Sequence, residues 1–172
     1  RISMLSAPLR SRFSGGTFRL EFYEAAELAT ILSHSVSVLG IAADKDSLAT
    51  IAQRSRATPR TANYLLKRCR DMAQLAGTDI STDIITKTFS LLGIDELGLN
   101  TQDRAVLEVI VHKFAGGPVG LNTIAAATGE EQATIEDVIE PYLIRLGLLE
   151  RTPRGRTVSA EGIEHITAYS RM

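Results

Sequence analysis

The chain has 172 residues, 44% of them hydrophobic and 23% charged, the balance of a globular protein with room for one large domain or two small ones. Aromatic residues make up only 5% and tryptophan is absent, so the core has to be built from Leu, Ile, Val and Ala, and a formal net charge of −1 excludes nucleic-acid binding by bulk charge, leaving it to a local basic cluster. The lone Cys69 excludes an intramolecular disulfide and fits a reducing cytosol, and no apolar run approaches the ~18–20 residues of a membrane span.

Arg1 reads as an interior residue of a longer protein, since there is no initiator Met and no leader-like apolar stretch. Residues 1–23 read as irregular and then strand-like, because Thr17-Phe18-Arg19-Leu20-Glu21-Phe22 alternates after the turn residues Ser14-Gly15-Gly16. From Glu24 the period becomes helical: Leu28, Ile31, Leu32 and Ser35 share one face, and Gly40 ends the helix. A second helix is predicted over Ser47–Arg54 with Asp44 or Asp46 as its cap, and a third from Thr58-Pro59 to about Leu75. A fourth starts near Ser81-Thr82-Asp83 and carries Ile84, Ile85, Phe89 and Leu92.

Asp95–Gln102 is polar and holds Gly98 and Asn100, which places a domain boundary there. An apolar helix follows over Asp103–Phe114, then a rigid Gly116-Gly117-Pro118-Val119-Gly120 turn with room for one short strand pairing. A short helix over Asn122–Thr128 and a longer one over Glu131–Leu146 end at Gly129 and Gly147. Leu148–Arg151 reads as a strand, Thr152-Pro153-Arg154-Gly155 as a turn, Arg156–Val158 as the return strand, and Ala160–Tyr169 as a last helix. Helix, turn, helix, helix and a two-stranded ribbon is the element order of a winged helix, so the fold class expected is mainly α: a helical domain, then a winged helix with a small wing.

Six segments carry a resemblance. Ser6-Ala7-Pro8-Leu9-Arg10-Ser11-Arg12-Phe13, Leu20-Glu21-Phe22-Tyr23 and Arg54-Ser55-Arg56-Ala57-Thr58-Pro59-Arg60 are followed by Gly116-Gly117-Pro118-Val119-Gly120-Leu121, Glu140-Pro141-Tyr142-Leu143-Ile144 and Arg151-Thr152-Pro153-Arg154-Gly155-Arg156. In this order they resemble the RuvB family of Holliday-junction branch-migration motors, over nearly the whole chain. The resemblance implies residues 1–23 as the end of a large AAA+ ATPase domain, 24–95 as its helical lid, and 96–172 as a winged-helix DNA-binding head. It departs from the family at Ala57, where glycine is usual, and in the loop after Phe13, which is about one residue longer.

The resemblance also implies roles for single residues. Arg12 corresponds to an arginine finger, whose guanidinium reaches a neighbouring subunit's γ-phosphate and stabilises the charge that develops in phosphoryl transfer. Arg10 is a weaker candidate for the same task or for bracing the subunit interface. Arg60, at the first turn of a lid helix, corresponds to the second-sensor residue that meets the phosphates of the subunit's own nucleotide, and Tyr23 to a position beside the base. Arg54, Arg56, Lys67, Arg68 and Arg70 read as surface or interface charges. With ATP or ADP and Mg²⁺ as cofactors, the implied partners are duplex DNA at a Holliday junction, RuvA, a RuvC resolvase complex and further copies in a homo-hexamer; a cytoplasmic location is expected.

The second candidate site comes from the residues themselves. Arg151, Arg154 and Arg156 lie on or beside a tight turn at a ribbon tip, where guanidinium groups meet phosphates or enter a minor groove. From Gly98 onward the chain has seven basic and ten acidic residues, a formal −3. The helix expected to act in recognition carries Glu130, Glu131, Glu136, Asp137 and Glu140, which would repel phosphates in a major groove. Duplex DNA is therefore expected on the wing, held without sequence reading.

His34, His112 and His165 lack metal-ligand spacing, so no metal site is expected, and Cys69, with no second cysteine beside it, reads as a structural thiol. No Gly-Lys-Ser/Thr phosphate loop occurs, so these residues alone are expected to be inactive as an ATPase. Two other readings remain at this level: a winged-helix regulator that binds DNA without being an enzyme, and a protein-interaction module.

Overall fold

The computed structural model describes residues 6–13, 18 and 20–169, with the side chain of Arg10 outside that description. A short helix, α1 (Ala7–Arg12), forms where irregular chain was expected, with Pro8 in its first turn. The expected strand does not form: Phe18 and Leu20–Tyr23 are irregular, and Thr17 and Arg19 lie outside the described residues. Alternation alone does not make a strand; it needs a neighbouring backbone, and none of the described residues runs beside this segment. The Tyr23 N–H is tied to the Ala57 carbonyl, at 3.2 Å.

Four helices then form the first domain: α2 (Ala25–Leu39), α3 (Lys45–Gln53), α4 (Pro59–Ala76) and α5 (Thr82–Leu91). Their ends follow the sequence signals closely. Asp44, Thr58 and Ser81 accept backbone N–H groups as N-caps, while Gly40 and Gly77 close α2 and α4 in the left-handed conformation. The buried stripes meet in one core that includes Leu28, Leu32, Ile51, Leu65, Ile85 and Phe89. Cys69 lies fully buried in it, and burial pushes its thiol up from 9.0 to about 11.

The second domain has its own core of Leu99, Leu107, Ile110, Ile124, Ile135, Leu143 and their neighbours. Its first helix, α6 (Thr101–Glu108), runs into a π-helical turn, Val109–Lys113, and starts at a capping box between Asn100 and Asp103. After α7 (Leu121–Thr128), a longer helix comprises α8 (Gln132–Thr134), a π-helical turn (Ile135–Ile139) and α9 (Glu140–Arg145). The wing is β1 (Leu149–Thr152), displaced by one residue from the expected strand, paired antiparallel with β2 (Gly155–Val158), which starts one residue before the expected one and ends with it. Thr152 and Gly155 face each other across a two-residue turn of Pro153 and Arg154. Val119 adds a third rung, exchanging backbone hydrogen bonds with Arg156 at 2.9 and 2.8 Å. Gly155 makes this possible: at φ 140°, a Cβ there would stand 2.5 Å from the Val119 carbonyl oxygen. The last helix, α10 (Ala160–Tyr169), covers the end of the core.

The segment between the domains is tightly held. Asp95, 6% exposed, accepts the N–H groups of Leu97 and Leu99, and meets His165 at 2.9 Å and Arg104 at 3.5 Å. Arg104 in turn donates to the carbonyls of Leu99 and Gly93.

Candidate nucleic-acid interface

The wing arginines differ sharply in environment. Arg154 stands at the exposed tip and has no side-chain partner among the described residues. Arg151 and Arg156 both bond to the Glu140 carboxylate, one to each oxygen. Arg151 keeps 46% of its side chain exposed and also approaches Glu136 at 3.7 Å, whereas Arg156 keeps only 14%. One buried carboxylate thus pins two guanidinium groups, of which Arg151 is the more exposed, and Arg154 stands exposed beside them.

Glu140 corrects the sequence reading. Expected on the outer face of the recognition helix, it has no exposed surface and faces the wing. Its position among Ile135, Ile139 and Leu143 on one helical stripe was the signal that could have shown this. Glu131 and Asp137 are exposed on the same helix and Glu136 partly so, so the acidic outer face stands.

The candidate nucleotide-facing residues lie elsewhere. Arg12 ends α1 and is exposed; Arg10 lies within α1. Arg60 sits in the first turn of α4, exposed and without an ion-pair partner among the described residues. Tyr23, 42% exposed, borders a cleft with Ala57, Gln53 and Arg145. The structure brings Tyr23 and the start of α4 together through the Ala57 carbonyl. Ala57 itself has φ 55° and follows Arg56 at φ 54°, two left-handed residues in succession, which accounts for glycine suiting this position.

Arg56 was expected as a surface or interface charge among several, and it is the one that crosses between the domains. It pairs with the fully buried Asp103, donates to the Val138 carbonyl at 3.1 Å, and lies 4.3 Å over the Tyr142 ring. Burial pushes the Asp103 carboxyl above the usual carboxylate range, against the opposing effect of the Asn100 N–H and Arg56. Among the described residues no cluster of His, Cys, Asp and Glu is placed to hold a metal ion, and no helix is long and apolar enough to cross a membrane.

Four helices capped in this way, followed by a winged helix with an arginine-bearing wing, have the make-up of a lid-type helical domain carrying a winged-helix head. Residues 23–95 match the RuvB AAA lid domain, and residues 96–167 match the RuvB C-terminal winged helix domain. The chain is 52% identical over 168 residues to the Holliday junction branch migration complex subunit RuvB of Dehalococcoides mccartyi, covering 97% of this chain and 48% of that protein. The solved RuvB branch-migration motor of Thermotoga maritima superposes with a TM-score of 0.90 at 45% identity, over 97% of this chain and 56% of that one. A RuvB point mutant gives 0.91 at the same identity and coverage. The chain belongs to the RuvB family. It spans about half the length of the curated relative it matches.

Proposed function

We propose that the chain is the lid and head of a subunit in an ATP-driven motor that translocates duplex DNA and branch-migrates Holliday junctions, with the duplex gripped by the wing. The observation that carries this reading is the wing of an acidic head: Arg154 exposed at its tip with no side-chain partner among the described residues, and Arg151 held by a buried carboxylate with nearly half of its side chain exposed. Contacts from these two go to phosphates and position a duplex without reading its sequence, as a translocating motor requires. Arg156, largely buried, supports the grip from behind.

The lid fits a nucleotide at the start of α4, where Arg60 is exposed with no ion-pair partner among the described residues and Tyr23 bonds to the Ala57 carbonyl. ATP bound there supplies a phosphoryl group whose transfer builds up negative charge. Arg60 offers its guanidinium to the phosphates of its own subunit's nucleotide, and Arg12, with Arg10 in support, to the neighbour's. A finger acting in trans requires head-to-tail contacts that close a ring, here a homo-hexamer. The phosphate loop, the Mg²⁺ ligands and the surface for RuvA come from a preceding segment; RuvC joins at the junction, in the cytoplasm. The chain alone is inactive as an ATPase and helicase.

Fluorescence anisotropy on labelled duplexes of unrelated sequence tests the DNA reading. Equal affinities across sequences, with affinity falling steeply as salt rises, are expected. One sequence bound far more tightly than the rest would indicate a regulator, and no binding at low salt an interaction module; either result overturns the proposal.

A further inference from the structure

One turn of helix in the head both meets the lid and holds the wing. Val138 and Tyr142 are four residues apart and so share a face, and that face meets Arg56 of the lid. Glu140, two residues from each, projects to the other side, where it holds Arg151 and Arg156. The guanidinium of Arg56 reaches this turn because the left-handed pair Arg56-Ala57 turns the chain between α3 and α4. Four residues later stands Arg60, the candidate nucleotide sensor.

The joint has little play. The Tyr142 hydroxyl donates to the Leu97 carbonyl at 2.7 Å. Gly98 lies so close that a Cβ would stand 2.8 Å from the Arg54 carbonyl oxygen and 2.9 Å from the Tyr142 hydroxyl. Asp103, which Arg56 grips, also caps α6, so the same carboxylate fixes the first helix of the head.

We propose that Arg56 is a latch: a positioning residue that seats the head on the lid, so that the orientation of the lid is passed through the turn 138–142 to the wing arginines. The seating follows from the geometry above; its use in moving DNA rests on the proposed function. A nucleotide-driven rotation of the lid is then delivered to the wing as rotation of one body, without slack.

Electron–electron resonance distances on this chain test the latch. Spin labels are placed at Lys67→Cys in the lid and Glu161→Cys in the head, both exposed, in a Cys69→Ala background. The parent is expected to give one narrow distance distribution. Arg56→Ala would leave Asp103 buried and unpaired, so the variant of choice is Arg56→Met with Asp103→Asn, which removes both charges. It is expected to broaden the distribution at least twofold, or to add a second distance, with DNA affinity within twofold of the parent. Gly98→Ala reaches the same joint by a wedge and is expected to shift the mean distance. Distributions as narrow and as centred as the parent's in both variants overturn the latch. Failure of the parent to bind DNA overturns the reading of function, and the distances then decide the latch alone.

Discussion

Arg151 and Glu140 form an ion pair whose partners stand in opposite environments: the carboxylate is wholly out of water, while the guanidinium keeps nearly half of its side chain in it. Removing the carboxylate from solvent fixes the pair in one geometry, and the donors it does not use face outward. Arg156 closes on the same carboxylate from the other strand, so one carboxylate ties both strands of the wing to the helix behind them.

Arg156→Ala is expected to destabilise the head by about 1.5–3 kcal/mol, because the buried Glu140 carboxylate loses one of its two charge-assisted bonds and keeps the one from Arg151. Thermal unfolding followed by circular dichroism measures this. A change within ~0.5 kcal/mol, the usual range for a surface substitution, would show that Arg156 is not a brace.

Arg154→Ala should do the reverse. It leaves stability within ~0.5 kcal/mol, since the side chain packs on nothing that the fold requires. It weakens DNA binding uniformly across sequences and lowers the salt slope by about 1, the signature of one lost phosphate contact. Titrations at several salt concentrations give both numbers.

Ala57→Gly is expected to stabilise the chain by ~1 kcal/mol, because a left-handed conformation costs an alanine about that much and a glycine almost nothing. The gain is reduced by the extra freedom of the unfolded glycine. A rise in melting temperature of about 1–4 °C follows for a chain of this size. A fall would mean that the alanine methyl makes a contact worth more than the strain.

Cys69 is expected to resist thiol reagents at pH 8 in the folded protein and to react fully in denaturant. Burial raises its thiol from 9.0 to about 11, so between those values the unfolded chain releases a proton that the folded chain keeps. Stability contributed by this group is present below pH 9 and is lost as pH rises through about 11. Cys69→Ala should flatten the decline in melting temperature over that window relative to the parent.

Helices were legible in this sequence wherever a cap and a periodic stripe coincided. Thr58-Pro59 marked the start of α4 and Gly40 the end of α2, because both act through their own backbone and immediate neighbours. The segment before Tyr23 was misread, since a strand is defined by a partner that local alternation does not contain. Arg60, Arg12 and the wing were singled out by resemblance and turn chemistry. The linkage between the sites was not legible: Arg56 meets Asp103, 47 positions away, and nothing in the run Arg54–Arg60 distinguishes it from its basic neighbours. Glu140 was misplaced because a carboxylate on a helix is ordinarily solvated, and its burial depends on two arginines that come later in the chain.

The carboxylate of Asp95 has a practical consequence for dividing this protein. The two family matches part between residues 95 and 96, and a head cloned from residue 96 would follow that line. Such a fragment would leave Arg104 and His165 facing an empty place, and the Leu97 and Leu99 N–H groups without their acceptor. The Gly93 carbonyl that receives Arg104 would be gone as well. The smallest piece able to keep the head's own hydrogen bonds therefore begins at Gly93, inside what sequence comparison assigns to the lid.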